Sequence, residues 1–152
     1  MVMDELKKML KRHEGYSSTV YKCSAGANTI GWGHNIDATP LPQSIQTYLD
    51  ETGSITIRMA EQLLDADIKI AKDSCKVLFH NFSGYSENRQ NALIDFLFNV
   101  GITTAGKFKN AIVAIKESED AWCRAALEFK NSKWFSQVGS RGAEICKMIQ
   151  EG

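Results

Sequence analysis

Neither sign of charge is in excess in these 152 residues: 18 Lys and Arg stand against 18 Asp and Glu. No global field therefore argues for nucleic acid or an anionic membrane as a partner. No apolar run, the N-terminal "MVMDELKKMLKRHEG" included, is long enough for a signal peptide or a membrane span. Cytoplasmic synthesis without a signal peptide is the expectation, with any outward route supplied by another component. Four cysteines are present, Cys23, Cys75, Cys123 and Cys146, without a CxxC pair or a cluster of ligands. That removes the usual basis for a zinc site, and no metal or other cofactor is expected. A cytoplasmic product keeps its thiols reduced. Cys75, Cys123 and Cys146 fall in helical patterns and read as small buried hydrophobes. Internal repeats and low-complexity segments are missing as well.

What is there is an ordinary globular balance, 43% hydrophobic and 24% charged residues, in a length that suits one domain with its own core. The charges are unevenly spread. Residues 37 to 67 are acidic (Asp37, Asp50, Glu51, Glu61, Asp65, Asp67 against Arg58), and the last thirty lean basic (Arg124, Lys130, Lys133, Arg141, Lys147). Solvated helix faces account for both.

Val2, Leu6, Met9 and Leu10 recur at helical spacing and predict a first helix to about His13, stopped by Gly15. From Tyr16 the pattern becomes β-branched and aromatic, broken by Gly26, Gly31 and Gly33, which predicts a small antiparallel sheet. Pro40 and Pro42 end regular structure. Thr56 can cap a long helix, "IRMAEQLLDADIKIAKDSCKVLF", with Ala60, Leu63, Leu64, Ile68 and Ala71 on one stripe. After a loop at 80 to 86 comes "RQNALIDFLFNVG", apolar around most of its girth and so a core helix. Amphipathic helices follow at about 107 to 116, 119 to 129 and 140 to 150. The order defines an α+β fold, mainly α.

The chemistry concentrates in "HEGYSSTVYKCSAGANTIGWGH", residues 13 to 34. Glu14 closes the first helix, where unpaired carbonyls carry partial negative charge and disfavour ionisation, as a general acid requires. If the strand at "NTIGWGH" alternates, Thr29, Gly31 and Gly33 share one face and Ile30, Trp32 and His34 the other. Glycines weaken a strand, so either something approaches the backbone closely there or they permit a twist or bulge.

Glu14, eight residues, Cys23, five residues, Thr29, followed by "TIGWGH", resembles the catalytic signature of the phage-type lysozymes, glycoside hydrolase family 24. "ITIRMAEQLLDADI" is similar to that family's interlobe helix, "RQNALIDFLFNVG" to its central buried helix, and "SKWF" with "GSRGAEI" to its C-terminal segment. The resemblance implies one lysozyme-like domain over 1–152, with a small sheet lobe at about 14–55. An interlobe helix at about 56–79 and a helical lobe at about 80–152, joined by the N-terminal helix 3–13, would complete it. It further implies a muramidase acting on peptidoglycan glycan strands in a cleft between the lobes, as an endolysin of phage or prophage origin. Such a protein would be a monomer, and a holin would fit its release.

Carried over, the resemblance makes Glu14 the proton donor, Cys23 the residue at a position that holds Asp or Cys, and Thr29 the water-positioning hydroxyl. Substrate binding would fall to Gly31, Gly33, His34, Asn99 and Arg141. Arg141 matches an arginine that pairs with the catalytic Glu and would lower its pKa, against the helix-end effect. Asn99 stands where relatives carry Gln, His34 orders the hairpin rather than acting as a base, and Trp134 packs rather than forming a sugar platform. A thiol is mostly neutral at pH 7. Cys23 could therefore hold a water, or attack carbon as a thiolate. A lytic transglycosylase, a silent peptidoglycan-binding module and an interaction protein are the other readings.

Overall fold

The computed structural model describes residues 2–117 and 121–152. Its first helix, α1 (Val2–Glu14), buries Leu6, Met9 and Leu10. It ends where Gly15 takes φ 69° and donates its N–H to the Lys11 carbonyl at 3.0 Å. Only glycine enters that region without a Cβ penalty, so the stop is written in the residue type. Val2 opens this helix, and its side chain, like those of residues 1 and 3, lies outside the description.

Three short strands follow, β1 (Ser17–Lys22), β2 (Asn28–Gly31) and β3 (His34–Asn35), in one antiparallel sheet of order β1-β2-β3. Tyr21 stands opposite Thr29 and Ile30 opposite His34, with an irregularity in β1 between Ser17 and Tyr21. The expected strand through "NTIGWGH" is corrected here: β2 ends at Gly31, and Trp32 and Gly33 form the turn into β3. Ile30 and His34 do share the buried face, as cross-strand partners rather than through continued alternation. Asp37 braces the ladder from outside, accepting the Asn28 N–H at 2.9 Å and the Asn28 amide at 3.1 Å.

An unexpected helix, α2 (Gln43–Thr52), begins directly after Pro42. The prolines end the sheet region but start a helix, because a proline before the first turn removes no intrahelical hydrogen bond. The long α3 (Ile57–Leu78) is capped as expected, the Thr56 hydroxyl accepting the Met59 N–H at 3.1 Å. A single 3₁₀ turn, Phe82–Gly84, precedes α4 (Glu87–Ala105). That helix breaks at Gly101 (φ 78°, ψ 165°), where the apolar run of the sequence also stops. Helices α5 (Lys109–Glu117), α6 (Ala121–Lys130), α7 (Lys133–Val138) and α8 (Ser140–Glu151) complete the order. The expected start at residue 119 lies outside the described residues, and α7 was not foreseen.

The chain divides into two compact units. One is Lys7–Ile68 and contains the sheet. Its core is Ile30, Leu41, Ile45, Ile55, Ala60 and Leu63, with Trp32, Ile36, Leu49 and Met59 packed against it. The other joins the first residues to Leu6 with Lys69–Gly152. There Asn91 to Leu97 of α4 are all buried, and Phe96 makes edge contacts at 4.9 Å with Phe108, Phe129 and Trp134. The fold is α+β and mainly helical. Among the described residues, no helix is long and apolar enough to cross a membrane.

Candidate active site

Helix α1 delivers Glu14 to the turn between β2 and β3. Gly33 has φ 72°, and a Cβ built on it would lie 2.7 Å from Glu14 Cδ and 2.9 Å from Cγ. The turn therefore needs glycine twice over, for its backbone angle and for the carboxyl resting on it. Gly31 needs glycine for its φ of 66° alone, since a Cβ built on it would meet Ala60 of α3 only at an ordinary 3.5 Å.

Cys23 opens the loop between β1 and β2. Its N–H donates to Ala27 O at 3.0 Å, and its carbonyl accepts from Gly26 N–H at 2.8 Å. The half-buried thiol is free of any disulfide. The Ala27 amide N–H, followed by that of Ala25, holds its pKa below the usual thiol range. The Thr29 hydroxyl and the Gly26 N–H add to this against a desolvation that works the other way. Convergent backbone donors of this kind favour an anion. A carboxylate at the same position would collect the same donors, which explains physically how acid and thiol can exchange there.

Thr29 is buried, 3% exposed, and its Oγ1–H donates to Ala27 O at 3.0 Å. One loop carbonyl, that of Ala27, thus orders both Cys23 and Thr29.

His34 has both ring nitrogens on acceptors: Nδ1 on Asp67 Oδ2 at 2.7 Å and Nε2 on the Thr39 carbonyl at 2.8 Å. A carbonyl and a carboxylate can only accept, so the ring serves both as the imidazolium. Burial opposes that charge, but Asp67 and then Thr39 outweigh it and raise the His34 pKa. With neither nitrogen left over, the ring ties β3 to α3 and to the following loop.

Asn99 and Arg141 belong to the helical unit. Asn99 is exposed and accepts the indole N–H of Trp134 at 2.8 Å, which fixes the amide's orientation. Trp134 itself is core, 6% exposed. Arg141 Nε donates to Asp95 Oδ1 at 2.8 Å, and that carboxylate is fully buried. The helical unit also carries an open groove of about 460 Å³, lined by Lys107, Lys109, Lys133 and Trp134 among others. None of the sequence-expected site residues lines it, and the one carboxylate that does is Glu128.

Two points depart from the sequence reading. Cys123 is exposed rather than buried, whereas Cys75 and Cys146 are buried and their thiols pushed up in pKa by desolvation, Cys146 to about 11. Tyr21 was passed over, yet the ladder places it opposite Thr29. Its spacing of two residues from Cys23 was the available signal.

A mainly helical chain with one small sheet, whose hairpin receives an acid from a helix end, has the architecture of the lysozyme-like glycan hydrolases. The chain belongs to the phage lysozyme family, which it matches over residues 11–146. It is similar to a probable T4-type lysozyme 2 of Dictyostelium discoideum, at 28% identity over 99% of this chain and 96% of that protein. It is also similar to an endolysin of Acyrthosiphon pisum secondary endosymbiont phage 1, at 26% identity over 83% of this chain and 74% of that protein. A pre-baseplate central spike protein, Gp5, of Enterobacteria phage T4 matches 97% of this chain with 28% of its own length, at 26% identity.

Proposed function

We propose that this chain hydrolyses the β-1,4 bond between N-acetylmuramic acid and N-acetylglucosamine in bacterial peptidoglycan, as an endolysin-type muramidase. Glu14 gives its proton to the glycosidic oxygen as the bond to the muramic C1 breaks. A water held by Cys23 and Thr29 adds its oxygen to C1 from the opposite face. The water's second proton passes to the Cys23 sulfur when that is a thiolate, or to solvent, and Glu14 is reprotonated from solvent. The observation that carries this reading is the seating of Glu14 on Gly33, in the hairpin that also bears Cys23 and Thr29.

Glu14→Gln keeps the shape of the side chain and removes its proton. On purified peptidoglycan, release of reducing muramic ends should fall by roughly 10²–10⁴. A variant within about tenfold of the parent would remove Glu14 from its role.

The backbone donors around Cys23 favour a second reading, in which the thiolate itself attacks C1. That route gives a covalent sugar–sulfur intermediate and retains the anomer, whereas water attack inverts it. Early-time NMR of the released anomer separates the two, and intact-protein mass would trap the adduct. Anhydro-muramic ends would instead mark a transglycosylase.

A further inference from the structure

The hydrogen bonding around the attacking water, as assigned above, lacks a donor. A water poised to attack keeps one lone pair for carbon; its orientation is fixed by acceptors for its protons and a donor to its other lone pair. Thr29 has one hydroxyl proton, and Ala27 O takes it at 3.0 Å. Were that proton to turn to the Cys23 sulfur instead, it would still be committed. A Cys23 thiolate has none to give, and a neutral thiol has only a weak S–H. Neither residue therefore offers a strong free donor to a water.

Tyr21 of β1 stands directly opposite Thr29 of β2, so the two side chains share a face of the sheet. Cys23, two residues beyond Tyr21, projects to that face again, and the Cys23 N–H bond to Ala27 O carries the ladder pattern out to it. The core-facing pair, Ile30 and His34, lies on the other side. The Tyr21 residue is 36% exposed, and among the described residues its hydroxyl has no hydrogen-bond partner. An uncommitted O–H on the face of Thr29 and Cys23 is the group that the water lacks.

Resting on the muramidase reading, we propose that the Tyr21 hydroxyl donates a hydrogen bond to the attacking water and is a further catalytic residue of this enzyme. Partial burial first, then the charges of Glu14 and Cys23, raise its pKa above the usual phenol value. The phenol so keeps its proton wherever the carboxyl chemistry runs.

The test uses the full chain with Tyr21→Phe and with a fluorinated, more acidic tyrosine at position 21. Tyr21→Phe should lower kcat roughly tenfold, the worth of one hydrogen bond, and leave KM within about twofold. The fluorinated residue should add a falling alkaline limb to the kcat–pH profile that the Phe variant does not have. A Phe variant with unchanged kcat, or one that changes KM alone, overturns the proposal, as does an unaltered profile for the fluorinated protein. A parent protein that releases no muramic ends defeats the muramidase reading and this proposal with it. A parent that turns over at the same rate as Tyr21→Phe defeats the proposal alone.

Discussion

Both compact units bury polar side chains, Thr29 and His34 in one and Asn91 and Asp95 in the other, but their charged groups reach for different things. In the helical unit charged side chains tie α4 to α8. Asp95 lies in the middle of α4 with no exposed surface and is met by Arg141 of α8. Arg89 reaches from α4 to the last carbonyls of α8, Ile149 at 2.8 Å and Gln150 at 3.1 Å, and its guanidinium lies 4.4 Å from the Trp122 ring centre. In the sheet-bearing unit many polar side chains grip backbone at the surface instead, as Asp37 grips Asn28 and Asn35 grips the Ala38 N–H. There Glu14, Cys23 and Tyr21 stay near solvent. Strong internal pairing builds stability, and groups near solvent beside glycine turns are open to a substrate, so one unit is suited to support and the other to the proposed catalysis.

The largest test of that contrast is Asp95→Ala. It removes the carboxylate from a buried charge pair and leaves Arg141 in the core, at a cost of about 3–5 kcal/mol in chemical denaturation. A loss under about 1 kcal/mol would show that the pair is not what holds the helical unit together. Gly33→Ala probes the other unit and should act on turnover more than on stability. Its Cβ would push the Glu14 carboxyl aside, and displacement on this scale is expected to lower kcat on the order of 10²-fold. The positive φ adds about 1–2 kcal/mol of strain. Unchanged turnover would mean that the seat of Glu14 is not needed.

The smallest effect concerns His34, buried against Asp67 in the sheet-bearing unit. Its folded pKa is raised, so the stability it contributes is complete below the ordinary histidine value of about 6.5 and is lost as pH rises through the folded value. Asp67→Asn should therefore cost about 2 kcal/mol near pH 5.5 by thermal unfolding, with the gap to the parent narrowing as pH rises. A gap that widens with pH would contradict the imidazolium assignment.

Much of this was legible in the sequence, wherever a residue type decides local geometry by itself. Gly15 stops α1, Thr56 caps α3, and the apolar run of α4 ends at Gly101. The acid–thiol–threonine spacing placed Glu14, Cys23 and Thr29 in one hairpin region. What escaped depended on tertiary packing. Helix α2 buries fully only Ile45, too little for a periodic stripe, and it starts at a proline that reads as a breaker. Cys123 was placed correctly on a helix but on the wrong side of it. The buried stripe of α6 is Ala121, Ala125, Ala126 and Phe129, and Cys123 falls off that stripe. The turn at Trp32 and Gly33 was hidden because glycines at alternate positions look the same in a strand and in a tight hairpin. Tyr21 needed the register, which depends on the irregularity in β1.

The division of the chain also has a consequence in time. The sheet-bearing unit is one unbroken stretch, Lys7–Ile68, while the helical unit must join the residues up to Leu6 with Lys69–Gly152. Hairpins close in about 1–10 μs, and a ribosome adds about 5–20 residues per second. The pairings of Tyr21 with Thr29 and of Ile30 with His34 link near neighbours in sequence, so nothing in them waits for the later helices. On a growing chain the groups proposed for chemistry are gathered first, and the unit that must recover the N-terminal residues is completed only when α8 has been made.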